Sequence, residues 1–237
     1  MFVGHYGVAL ALRPSKGSPS LPVLFTAVQL VDIAFFSFLI PGIERMRIAP
    51  GATVMNAMDL YFLPYTHSLV GALGFSLAFA AIVAALTPSD IRWRAFAITA
   101  FAVFSHWLLD LLVHRPDLGL LGDSEVKLGL GLWNYPFIEM PLEIAITGIG
   151  LAIFMASRRP LNRTALISIG VLVAAMAGLQ AFNWFGPQPA AGADLTFFAI
   201  EGVLAYLIFI ALAWWVERTT APIPAAGRDA MRMAPAR

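Results

Sequence analysis

The chain contains no cysteine. Disulfides and thiolate metal sites are therefore excluded, and any bound metal must be held by nitrogen and oxygen donors. Charge is also scarce. Only 12% of the 237 residues are charged, while 59% are hydrophobic, and mean hydropathy is +0.79. Such a balance excludes an ordinary soluble domain and marks a polytopic membrane protein. The formal net charge of +1 gives no basis for a nucleic-acid partner. The first residues lack the basic region and small-residue cleavage site of a signal peptide.

What is abundant is apolar sequence in helix-length runs. Seven segments read as helical, at Phe2–Leu12, Leu21–Ile40, His67–Leu86, Arg94–His114, Pro136–Ala156, Arg163–Phe185 and Leu195–Val216. Six approach or exceed the ~20 residues that cross a bilayer, and the first is too short to do so alone. The fold class expected is all-α, with six to seven transmembrane helices around a polar site. Residues 1–157 read as a membrane domain carrying that site, 158–218 as two further transmembrane helices, and 219–237 as a disordered cytoplasmic tail.

Basic residues set the expected orientation. One set of connections holds Arg13, Lys16, Arg92, Arg94, Arg158, Arg159, Arg163, Arg218, Arg228, Arg232 and Arg237. The other holds only Arg45, Arg47, Arg115 and Lys127. The positive-inside rule makes the first side cytoplasmic. The N-terminus and the two long links, 41–66 and 115–135, then lie outside. Tyr61, Tyr65, Trp93, Trp133, Tyr135, Trp184, Trp214 and Trp215 read as an interfacial aromatic belt.

Against this apolar background a few ionisable residues stand out. All four histidines, His5, His67, His106 and His114, lie in or beside the apolar runs, together with Asp32 and Asp110. Alternating helices place them in one half of the membrane, along with Glu139 and Glu143. Ionisable groups at such depth face a cavity, pair with one another or bind an ion. His106, Asp110 and His114 recur every four residues and share one helical stripe, so an imidazole and a carboxylate can point at one ion. Glu139 and Glu143 have the same spacing, with Pro141 between them. His114 reads equally well as an interfacial residue, His67 as a helix cap, and Glu201 as a snorkelling side chain or a neighbour of the site.

Gly4-His5, an aspartate late in the second helix, Thr66-His67-Ser68 and Ser105-His106-x-x-x-Asp110 occur in this order. Gly129-Leu130-Gly131-Leu132-Trp133 follows, and then a glutamate-bearing helix. Over residues 1–157 this set resembles a bacterial inner-membrane family described as metal-dependent hydrolases, some of them as LexA-binding, inner-membrane-associated hydrolases. The order of ligand types is also similar to the soluble zinc-dependent phospholipase C proteins. That likeness implies His5, Asp32, His67, His106 and Asp110 as metal ligands. Glu139-x-x-x-Glu143 stands where those enzymes carry H-x-x-x-E, and so extends the candidate ligand set.

The resemblance implies a divalent metal, zinc first, and metal-assisted hydrolysis of a lipid or phosphoester in the bacterial inner membrane, with Asp32 or Glu139 as general base. The membrane lipids are the expected partners. Two other readings fit the same residues. One is a proton- or cation-coupled permease, and the other is a non-catalytic membrane protein with a structural metal.

Overall fold

The computed structural model describes residues 1–223. It contains seven α-helices among the described residues, α1 (Val3–Leu12), α2 (Leu21–Leu39), α3 (Leu69–Ala85), α4 (Arg92–Val113), α5 (Pro136–Ser157), α6 (Arg163–Phe185) and α7 (Leu195–Thr219). Five of them, α2, α4, α5, α6 and α7, are long and apolar enough to cross a membrane. The remaining two, α1 and α3, are shorter apolar helices. The seven helices expected from sequence are present, but five rather than six to seven are long and apolar enough to span, because α3 begins at Leu69 rather than His67 and has only 17 residues. Ser68 caps it by accepting the Gly71 N–H, which leaves His67 in the link before the helix.

The other helix starts follow familiar chemistry. Pro22 and Pro136 sit in the first turns of α2 and α5, where a missing N–H costs nothing. Asn162 and Asp194 cap α6 and α7 with their side-chain oxygens. Pro141 lies inside α5 without ending it, so Glu139 and Glu143 do share a helix.

The two long links are not plain loops. Residues 41–66 carry the hairpin β1 (Arg45–Ile48) and β2 (Met58–Phe62). Residues 115–135 carry the two-residue strands β3 (Leu118–Gly119) and β4 (Lys127–Leu128). Asp59 of β2 ties the links together, accepting from Arg47 Nε at 2.5 Å and from Arg115 Nη2. At the opposite end, β5 (Arg158–Pro160) pairs with β6 (Thr220–Pro222). Thr219–Pro222, the start of the expected tail, is therefore ordered, and residues 224–237 lie outside the described residues. Beside β5, Glu217 accepts two hydrogen bonds from Arg13 at 2.6 and 3.0 Å and lies 3.4 Å from Arg158.

One apolar core runs from Val3 to Val216 and includes Leu24, Val28, Val103, Phe154, Leu172 and Phe209. The principal helix pairs are α3 on α4, α1 on α5, α2 on α7 and α2 on α4. Outward-facing positions are also apolar, among them Leu77, Ile149, Leu166, Ile167 and Leu207. A bundle that is apolar on its outside as well as in its core suits lipid as solvent.

The close seat of α1 on α5 positions the first histidine. It depends on small residues, as helix contacts in lipid commonly do. A Cβ at Gly7 would lie 2.6 Å from the Ile146 carbonyl oxygen, and one at Gly150 would lie 2.0 Å from that of Gly7. Gly148, two residues earlier and facing outward, has nothing within 4 Å. Gly150→Val is expected to push α1 off α5 and destabilise the protein by about 1–3 kcal/mol, the usual cost of overpacking. Gly148→Val is the matched control. Thermal unfolding in detergent should show a lower midpoint for the first variant alone; equal midpoints would refute the close-packing argument.

Candidate metal centre

Three helices and one link deliver ionisable side chains to a single point. His5 comes from α1, Asp32 from α2, His106 and Asp110 from α4, and His67 from the link entering α3. One ligand atom from each of Asp32, His67, His106 and Asp110 lies within 4.8 Å of all the others. His106 Nε2 is 2.9 Å from Asp110 Oδ2 and 3.4 Å from Asp32 Oδ1. His67 Nε2 is 3.4 Å from Asp32 Oδ1 and 3.7 Å from Asp110 Oδ2. Ligands bound tetrahedrally at ~2.0–2.2 Å to one zinc ion stand about 3.3–3.6 Å apart, close to these four distances.

His5 approaches from the other side of Asp110. Its Nε2 lies 3.2 Å from Oδ1, and its ring stacks flat on His106 with centroids 3.9 Å apart. The Met1 nitrogen also lies 3.1 Å from Oδ1. His114 caps α4, and its Nε2 stands 3.8 Å from Asp110 Oδ2. It is buried beneath Trp133, so the interfacial reading of His114 does not hold in this structure.

The second nitrogen of each of three rings reveals which face is held bare. His106 Nδ1 lies 2.7 Å from the Val28 carbonyl oxygen, which can only accept. His114 Nδ1 lies 2.8 Å from Asp117 Oδ1, again an acceptor. The Thr66 hydroxyl lies 2.5 Å from Glu44 Oε2 and spends its proton there, so at 2.8 Å it accepts from His67 Nδ1. In each neutral ring the proton is therefore on Nδ1, and the Nε2 lone pair faces Asp110. Lone pairs and carboxylate oxygens at 2.9–3.8 Å repel one another unless a cation lies among them. The cation can be a proton or a metal ion. Outer partners that hold one ring nitrogen and aim the other are characteristic of metal-binding histidines.

Glu44 is fully buried and also accepts from the backbone N–H groups of Tyr65 and Thr66, at 2.8 and 2.9 Å. It thereby fixes the chain just before His67. Tyr206 of α7 donates to Asp32 Oδ2 at 2.7 Å. Neither residue has a helical spacing to the histidines that could have revealed it. Glu44 sits in a link and Tyr206 in a distant helix, and only the fold joins them to the site.

The two glutamates of α5 part company. Glu143 is taken up by the start of α1, accepting from Phe2 and Gly4 N–H at 2.5 and 3.0 Å, and from Gln180 Nε2 at 2.9 Å. It satisfies free N–H groups at a helix N-terminus, where negative charge is favoured. In this structure that work occupies both of its oxygens. Glu139 is equally buried, but its Oε2 has no hydrogen-bond partner among the described residues.

A cavity of about 500 Å³ reaches the cluster and is lined by Asp32, His67, Asp110, His114, Glu139 and Tyr206. Its walls are largely apolar, with Phe35, Phe36, Ile48, Leu60, Phe182 and Phe198 among them. Trp133 and Trp184 belong to this wall rather than to a simple surface belt. Glu201 lines the cavity as an exposed residue and is not among the cluster's contacts. The α6 and α7 ends thus complete a chamber whose polar floor comes from α1 to α5. No known protein family, curated protein or solved structure matches the chain, so the geometry itself carries the functional argument.

Proposed function

We propose that the chain is a bacterial inner-membrane hydrolase that binds a divalent metal ion, zinc by preference, and cleaves a lipid or phosphoester held in the cavity. The observation that carries this reading is the meeting of bare imidazole nitrogens with two carboxylates at the floor of an apolar chamber. Asp32, His67, His106 and Asp110 would hold the ion, and an all-nitrogen-and-oxygen donor set suits zinc. The ordered motifs of residues 1–157 support the same reading through their resemblance to the inner-membrane metal-dependent hydrolases.

When bound, the ion would supply positive charge to polarise a phosphoryl or acyl oxygen and to acidify a water. The protein's own groups divide the remaining work. The Nδ1 partners of His67 and His106 fix both rings with Nε2 inward. Tyr206 holds Asp32 by its second oxygen, which leaves Glu139 as the better general base. Glu139 lines the cavity with Oε2 unpartnered, and its carboxylate can take a proton from an attacking water and return it to a leaving group. The apolar walls exclude bulk water and accept an acyl or other apolar tail.

The far end of the bundle favours an enzyme over a permease. There the Arg13–Glu217–Arg158 cluster and the β5–β6 pair tie the helix ends together. The cavity lies at the other end, beneath the hairpin links. Contact of Asp32 and Asp110 with that cavity likewise favours catalysis over a purely structural ion, since a closed site would leave no open position.

Asp110→Asn and His106→Ala test the metal reading directly. Each is expected to lower zinc affinity by about 10-fold or more while the protein still inserts into membranes. The double variant should lose less than the two single losses added together, because both residues act on one ion. Elemental analysis of the purified proteins checks this; unchanged zinc in both single variants would shift the reading to a proton relay.

Thr66→Val removes the acceptor for His67 Nδ1 and should weaken zinc binding by about 10–100-fold, as loss of such outer partners does. Thr66→Ser keeps the hydroxyl and should bind nearly as the parent does. Equal affinities for Val and Ser variants would show that the hydroxyl does not orient the ring.

Orientation follows from eleven basic residues against four, with the C-terminus cytoplasmic and the site in the outer half of the membrane. A phosphatase reporter fused at the C-terminus should be inactive, and a fluorescent-protein reporter there should be bright. The reverse pattern would place the site on the cytoplasmic side.

A further inference from the structure

The side-chain charges around the cavity are one-sided, and the Met1 ammonium that also lines it is paired with Asp110 Oδ1 at 3.1 Å. Asp32, Asp110, Glu139, Glu143 and Glu201 line it, and among the described residues no lysine or arginine does. One divalent ion held by Asp32 and Asp110 would balance those two carboxylates. Glu143 is already engaged by the α1 N-terminus and Gln180. Glu139, buried and with Oε2 unpartnered, and Glu201 would remain as uncompensated acids facing the chamber.

Glu201 differs from the others in its surroundings. It is exposed and has no hydrogen bond or ion pair with any other described residue. Phe198 lies three residues before it and Ala205 four after, so all three occupy one stripe of α7, and all three line the cavity. Phe36 packs against this stripe. Its ring centroid is 5.7 Å from that of Phe198 and 6.0 Å from that of Tyr206, and a Cβ on Gly202 would come within 3.1 Å of its ring. A carboxylate that shares an apolar chamber with aromatic rings can stabilise an amine or quaternary ammonium there, through ion pairing and cation–π attraction.

We propose that the cavity selects amphiphiles whose head group carries a positive charge, with Glu201 and the Phe36–Phe198 pair receiving the cation while the apolar tail lies along the chamber. This deepens the hydrolase reading by naming a substrate class, and rests on that reading for the chemistry but not for the binding. An amphiphile whose head is only anionic meets acids without a compensating cationic side chain, and its head would be anchored by the bound metal ion alone.

Non-hydrolysable probes separate binding from catalysis. Alkyl trimethylammonium and alkyl sulfonate of equal tail length, labelled in the tail, are measured for equilibrium binding to the full chain in maltoside micelles, with zinc present and after chelation. Empty micelles give the partition blank. In both conditions the ammonium probe should bind at least about tenfold more tightly than the sulfonate. Glu201→Gln should reduce that ratio to about threefold or less, and Glu201→Lys should abolish or reverse it. Thermal unfolding confirms that these variants of an exposed residue remain folded. A parent ratio near one, a preference for the sulfonate, or a ratio unchanged in Glu201→Gln would overturn the proposal. If zinc fails to bind while the Glu201-dependent preference persists, it is the metal reading that fails.

Discussion

Asp110 is the constraint around which the bundle is arranged. It is a carboxylate almost removed from solvent in the last turn of an apolar helix, and such a group is costly unless compensated. Its two oxygens divide the surroundings. Oδ1 faces His5 and the Met1 nitrogen, and Oδ2 faces His106, His67 and His114. The close seat of α1, the entry of the chain into α3 and the caps over the outer end of α4 all bring groups to this one side chain. Asp32 adds a second negative charge 3.4 Å from two of the same imidazoles, so the need for a cation in the site is built into the fold.

The surrounding polar contacts follow from that need. Val28, Thr66 and Asp117 each hold the outer nitrogen of one ring, and the inner nitrogens are thereby committed before any ion arrives. Such preorganisation lowers the ordering cost of binding. The Glu44–Thr66 pair shows how a link outside the helices can serve the centre. Its backbone contacts hold residues 65 and 66 in place, and its side-chain contact sets the proton on His67.

The helices and the central stripe were legible in the sequence because both depend on periodicity. A hydrophobic run of bilayer length names a helix whatever surrounds it, and His106 and Asp110 share a face by spacing alone. Alternation of the segments was enough to bring His5, Asp32, His67, His106 and Asp110 to one end of the bundle. The hairpins were not legible, because strands of two to five residues inside links leave no period to read. Glu44, Asp117 and Tyr206 stayed hidden for a related reason, since their roles depend on contacts distant in sequence or on link geometry. Glu143 looked like a ligand by its spacing from Glu139, yet the start of α1 needs an acceptor and takes it. Spacing reports which face a side chain occupies, and competition among neighbours decides what it does there.

The most direct measurement is X-ray absorption at the zinc edge of the wild-type protein, purified without chelator and supplied with zinc. The account predicts one firmly held ion with a first shell of nitrogen and oxygen at ~2.0–2.2 Å, including the outer-atom scattering of imidazole and no sulfur. A protein that retains no zinc above its detergent blank, or a spectrum without imidazole ligands, would contradict it.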